Sequence, residues 1–156
     1  MPLQDDQTIT PDAVLYRVLK VPSWITTKGQ TRRPSSIAFY EDRGEVSFFE
    51  EGPDVLSEIR RIFPGVPIAR VPASTIREAG LAIERSPNDA PPNLQCDNNK
   101  HVVVGPSEEI TRLEFQRRAR WIAKHASVTI IEPDPPPAEP GPATEPEPEP
   151  KPPPVA

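Results

Sequence analysis

From residue 132 to the end of the chain, 12 of 25 residues are proline, and this stretch limits most strongly what the chain can fold into. Proline fixes φ and has no N–H to donate, so a segment of this kind completes neither a helix nor a sheet ladder. It contains no aromatic residue and only one large aliphatic, Val155. It therefore buries nothing that could offset its ordering entropy, and is expected to be disordered with local polyproline II. The first twelve residues, "MPLQDDQTITPD", are polar and acidic and are expected to be a flexible lead. That leaves residues 13–131 for a single domain.

The break in composition is also a break in charge. Residues 1–131 carry 17 Lys+Arg and 17 Asp+Glu, while residues 132–156 carry six acids and Lys151, so the chain's net −5 belongs to the tail. A neutral domain has no general electrostatic drive toward nucleic acid or an anionic membrane, and neither is expected as a partner. The start of the chain lacks the positive and apolar regions of a signal peptide, and no run approaches the roughly 18 apolar residues of a membrane span. Cys96 is the only cysteine. A disulfide framework and a cysteine-based zinc site are thereby excluded, and a reducing, cytoplasmic compartment is expected.

Between the two ends, apolar periodicity marks the elements. "AVLYRVL" (residues 13–19) alternates as a strand, with Val14, Tyr16 and Val18 on one face and Leu15, Arg17 and Leu19 on the other. Residues 20–34, with two prolines and a glycine, read as a long loop. "SIAFY" and "EVSFF" read as a hairpin turning at Gly44. "GPDVLSEIRRIFPG" is a helix that opens with Pro53 at its first position and carries Val55, Leu56, Ile59, Ile62 and Phe63 at helical spacing. "VPIARV" follows as an edge strand or strand start behind Pro67, then a short helix stopping at Gly80, then the strands "LAIER" and "HVVVG". Ser107 caps a last helix reaching about His125, with Phe115, Ala119, Ile122 and Ala126 on one face and Ile110, Leu113 and Trp121 opposite. "SVTII" closes the series. Six to seven short strands interleaved with three helices predict an α+β domain, a mixed sheet with helices packed on it.

Candidate site residues cluster at junctions. "TRRPSS" places Arg33, Ser35 and Ser36 before a strand, where a guanidinium and two hydroxyls suit an oxyanion. The plain alternative is a solvated loop end with serines bonded to nearby backbone. His101 begins a strand five residues after Cys96. Cys96, Asp97 and His101 are too few for a metal, so none is expected, and His101 is either a structural histidine or a proton carrier. Arg112, the arginines of "QRRAR" and Lys124 give the last helix five cations spread around its circumference, the pattern of a solvated face.

The segments "LYRVL", "RPSSIAF", "EVSF", "GLAIERSP", "DNNKHVVVG" and "ARWI" together resemble a family of small uncharacterised bacterial proteins. In that family an arginine-prolyl-serine-serine strand precedes a histidine-led strand of the "HxxVxG" kind. The resemblance spans residues 15–122 and implies a bacterial source. It marks Arg33, Pro34, Ser35, Ser36, Phe39, His101 and Gly105 as positions to test, and implies no activity. Val102 stands where the family has a small residue. A second likeness is to ADP-ribosyltransferase-like folds, whose order of arginine, serine-led strand and late glutamate matches Arg17, Ser35 or Ser36, and Glu132. Their paired-glutamate motif is missing, because Ile130 stands two residues before Glu132.

Two functional expectations follow. The first is a non-enzymatic module that binds another protein, needs no cofactor, and presents a polyproline tail. The alternative is a small enzyme or nucleotide-binding domain built on Arg17, Arg33, Ser35, Ser36 and His101. Convergence of those five side chains on one cavity separates the two.

Overall fold

The computed structural model describes residues 2–42 and 44–133; the proline-rich tail expectation therefore falls outside the described residues from 134 onward. The fold is α+β. Eight strands form: β1 (Val14–Val18), β2 (Ile25–Lys28), β3 (Thr31–Pro34), β4 (Val46–Glu50), β5 (Ile68–Pro72), β6 (Ala82–Arg85), β7 (His101–Gly105) and β8 (Thr129–Ile131). Three α-helices accompany them: α1 (Val55–Ile62), α2 (Ala73–Glu78) and α3 (Arg112–Lys124). Six strands make one sheet in the order β6-β7-β4-β1-β5-β8, and β2 and β3 form a separate hairpin. All the strand pairings are antiparallel, where a mixed sheet was expected. Each α-helix carries the chain between two strands that run parallel but are not neighbours, α1 across β1 and α2 and α3 across three strands each, so that every adjacent pair is antiparallel.

Side chains alternate across the sheet, and both faces are covered. Leu15, Val46, Phe48, Ala69, Val71, Ile83, Val102 and Val104 point to one face. There they meet Ile76 of α2 and Phe115, Ala119 and Ile122 of α3. Val14, Tyr16, Val18, Phe49 and Ile68 point to the other and meet Val55 and Ile59 of α1. This double burial is why β5 and β7 read as apolar runs. β5 is an interior strand, with Pro67 just ahead of it, so the strand-start reading holds and the edge reading does not. On α3, Leu113 and Trp121 remain exposed.

Five local expectations change, the first being residues 20–34, read as a long loop, which contain the β2–β3 hairpin turning at Gly29. Residues 2–12 belong to the fold: Ile9 is fully buried and Leu3 nearly so. The Asp5 carboxylate accepts from the Ile83 amide at 2.9 Å and pairs with Arg77. "SIAFY" is not a strand, since Ser36–Phe39 forms a 3₁₀ turn. Gly44 nevertheless has φ +93°, and an added Cβ at Gly105 would overlap the Gly44 carbonyl oxygen, so both positions require glycine. Helix α1 begins after Pro53, with Asp54 in the left-handed region at φ 62°. Helix α3 is capped by Thr111, whose hydroxyl accepts from the Glu114 amide at 3.0 Å, and not by Ser107. Thr111 lies three residues before that amide, the reach an N-cap side chain needs.

Helix α1 is fastened by Glu58. Its carboxylate takes two bonds from Arg61 at 2.9 Å and one from the Gln95 amide at 2.7 Å. These hydrogen bonds, Arg61 foremost, hold its pKa down at about 2. The folded value is below the unfolded one, so the contribution is complete above the ordinary glutamate range and is lost as pH falls toward about 2. Urea midpoints followed from neutral pH down to acid should therefore fall less for Glu58→Gln than for the wild type. Equal slopes would mean these bonds do not persist in solution. Ile59, 1% exposed beneath the same helix, should cost about 2–5 kcal/mol when changed to alanine. A loss under about 1 kcal/mol in denaturant unfolding would show that α1 does not use this face.

Candidate peptide-binding groove

The hairpin β2–β3 and the 3₁₀ turn Ser36–Phe39 lie against α3, and two depressions run along the seam. One, of about 490 Å³, is lined by Thr26, Lys28, Arg33, Pro34, Ser35, Ser36, Arg120, Ala123 and Lys124. The other, of about 250 Å³, is lined by Ser36, Ile37, Tyr40, Gln116 and Arg120. They share Ser36 and Arg120 and form one groove. None of its described lining residues is acidic, although the domain as a whole is neutral.

Local chemistry builds this groove. Gly29 at φ +66° turns the hairpin, pairing Lys28 with Thr31. Arg33 then reaches the end of α3, where Nη2 donates to the Ala123 carbonyl at 3.0 Å and the His125 carbonyl at 2.7 Å. Those carbonyls have no intrahelical donor, and a cation there also complements the helix dipole. The Ser35 hydroxyl donates to the Ser23 carbonyl at 3.0 Å. With Arg33 and Ser35 engaged, the unengaged groups are the cations Lys28, Arg120 and Lys124. These have no hydrogen-bond or ion-pair partner among the described residues and are exposed. The apolar residues along the groove are Pro34 and Ala123, both buried, at one end and Ile37, 47% exposed, beside Tyr40 at the other.

The structure does not bring the five sequence-marked residues together. Arg33, Ser35 and Ser36 share the groove. Arg17 lies elsewhere, 5% exposed, where its Nε donates to the Ala38 carbonyl at 2.8 Å and its Nη1 to the Ser47 carbonyl at 3.2 Å. Trp24 stacks on its guanidinium at 4.3 Å. Burial draws the Arg17 pKa down to about 10, partly offset by Glu41, so it stays charged at neutral pH. His101 is 2% exposed on the face that carries Phe49, its ring edge-on to Phe49 at 5.3 Å. Its Nδ1 donates to the Ser86 carbonyl at 2.8 Å, which fixes the tautomer. Strand β7 is four positions from β8 in the sheet, about 19 Å at the usual strand spacing, and β3 packs beside β8. No small ligand spans His101 and Arg33.

Sequence reasoning passed over Lys28, Ile37 and Trp24, and it placed Arg120 and Lys124 on a solvated face. Their unpaired state was not readable, because the helix's other cations do have partners: Arg117 and Arg118 with Glu114, Arg112 with Asp42. No family model, curated protein or solved structure matches this chain.

Arg33→Ala should remove both bonds to the end of α3 and lower stability by about 1.5 kcal/mol, the lower end of the range for charge-assisted bonds because the group is half-buried. An unchanged urea midpoint would show a solvated guanidinium instead of a helix cap.

Proposed function

We propose that the protein is a non-enzymatic interaction module whose groove along α3 receives an extended, acidic, proline-rich peptide. The observation that carries this reading is the coincidence of three cations, unpaired among the described residues, with the exposed side chain of Ile37 in a groove whose described lining has no acid. An extended segment alternating glutamate and proline offers carboxylates to Lys28, Arg120 and Lys124 and ring faces to Ile37 and Tyr40. It also loses little entropy on binding, because polyproline II is already extended.

The chain itself holds such a sequence. "TEPEPEPKPPP" lies in residues 144–154, and the chain leaves β8 at the groove's hairpin, where Arg32 pairs with Glu132 at 2.7 Å. The last described residues, Glu132 and Pro133, thus leave the fold beside the hairpin that forms one wall of the groove. Contact within one chain and contact between copies are both compatible with this geometry. Among the described residues no helix is long and apolar enough to cross a membrane, and the cytoplasm, with a bacterial source, is the setting we infer for this binding.

A peptide of residues 132–156 should bind the chain truncated after Pro133 with a Kd on the order of 10–100 µM, as small interfaces do. Raising salt should weaken it, since exposed charge pairs are screened. The Arg120→Glu, Lys124→Glu double variant should abolish it. Unaltered affinity in that variant, or tighter binding of a single-stranded oligonucleotide than of the peptide, would overturn the reading.

A further inference from the structure

The β1–β4 ladder is short. Leu15 pairs with Glu50 and Tyr16 with Phe49, and the pairing stops. On the flanks β1 continues with β5 to Val18, and β4 continues with β7 from Val46. The two central strands therefore part beyond Tyr16, and the guanidinium of Arg17 sits where they part, taking the Ser47 carbonyl that a further ladder bond would have used. Above it opens a cavity of about 420 Å³ lined by Arg17, Lys20, Trp24, Glu41, Glu45, Ser47, Asp89 and Val103.

Among the described residues, the charges of this cavity are not paired at contact distance. A guanidinium has five N–H donors. Arg17 spends two, on the Ala38 and Ser47 carbonyls. No carboxylate lies within ion-pairing distance of Arg17 among the described residues, and Nη2 has no partner there. A buried cation is costly unless paired. At the rim, Glu41 and Glu45 likewise have no side-chain partner among the described residues, and Asp89 accepts only from Ser86. The walls thus hold a deep positive group and three negative groups beside Lys20 nearer the mouth. A multiply charged anion such as phosphate would meet the acids on entry. A plain amine would leave Arg17 unanswered.

We propose that this cavity binds a small zwitterion, an amino acid or a close analogue. Its carboxylate is held by the free edge of Arg17 and its ammonium by Glu41 and Glu45. The volume lies in the range of small-ligand sites, and the proposal is independent of the groove along α3, which shares no residue with it.

The test uses the full chain with glycine, β-alanine and γ-aminobutyrate as zwitterionic probes, and butyrate, butylamine and inorganic phosphate as single-charge or multiply charged ones. Binding is read by calorimetry and by the indole N–H resonance of Trp24, with Trp121 on α3 as internal reference. At least one zwitterion should bind saturably with a Kd of about 1 mM or tighter, shifting Trp24 and not Trp121. The Glu41→Gln, Glu45→Gln double variant leaves the core and the two carbonyl bonds of Arg17 in place. It should weaken that zwitterion at least about threefold, as the loss of two ion pairs near the surface implies, while butyrate, relieved of two like charges, binds no more weakly than before. Arg17→Gln alone would not decide, since it also strips donors from Ala38 and Ser47. The proposal is overturned if no zwitterion binds, if butyrate or phosphate binds as tightly as the best zwitterion, or if the double variant leaves zwitterion affinity unchanged.

Discussion

A charged side chain within a central strand, with apolar neighbours on either side, has to be answered by the fold around it. Arg17 is answered by two backbone carbonyls and an indole face, and much of the local architecture follows. Its bond to Ala38 ties the 3₁₀ turn Ser36–Phe39 to the sheet, so that Ala38 and Phe39 are buried in the core. Its bond to Ser47 ends the pairing of β1 with β4 and opens the sheet at its middle. Trp24, brought over the guanidinium, anchors the hairpin β2–β3, because the Ser35 amide donates to the Trp24 carbonyl at 2.7 Å. The hairpin is in turn what presents Arg33 to α3. One buried guanidinium thus positions the walls of both sites, although it belongs to only one of them.

The two sites differ in the chemistry they offer. The groove on α3 is lined by cations with Ile37 exposed at one end, which would suit a chain segment lying along it. The cavity at Arg17 is compact and of mixed sign, which suits a small molecule carrying both charges. Arg33 and His101, which look alike in sequence as polar residues at strand junctions, serve the scaffold: one closes the end of a helix and the other locks the start of β7 to Ser86.

Strands buried on both faces were legible because their apolar runs are continuous, and β7 matches the sequence reading residue for residue. The amphipathic stripe of α1 was legible for the same reason: Val55 and Ile59 are the residues it buries. The hairpin β2–β3 was not, since "ITTK" and "TRRP" lie on the surface and carry no apolar alternation; only Gly29 between them hinted at a turn. Ser36–Phe39 has the composition of a strand, and what makes it a 3₁₀ turn is a donor from Arg17, 21 residues earlier in sequence. The burial of Leu3 and Ile9 depends on where the ends of β6 and β7 lie, which local composition does not carry. Of the candidate residues, Arg17 was named only for its place in an arginine–serine–glutamate order, and nothing in its strand showed that its guanidinium is buried on backbone carbonyls. The groove's unpaired cations could be recognised only by finding which arginines of α3 already had acids beside them.

The account stands most directly on whether the acidic tail meets the groove. Amide ¹H–¹⁵N spectra of the full chain and of the chain truncated after Pro133 answer this in one comparison. The account predicts shift differences at Lys28, Ile37, Arg120 and Lys124 that collapse as salt is added. Differences confined to β8 and the residues just before the cut would contradict it.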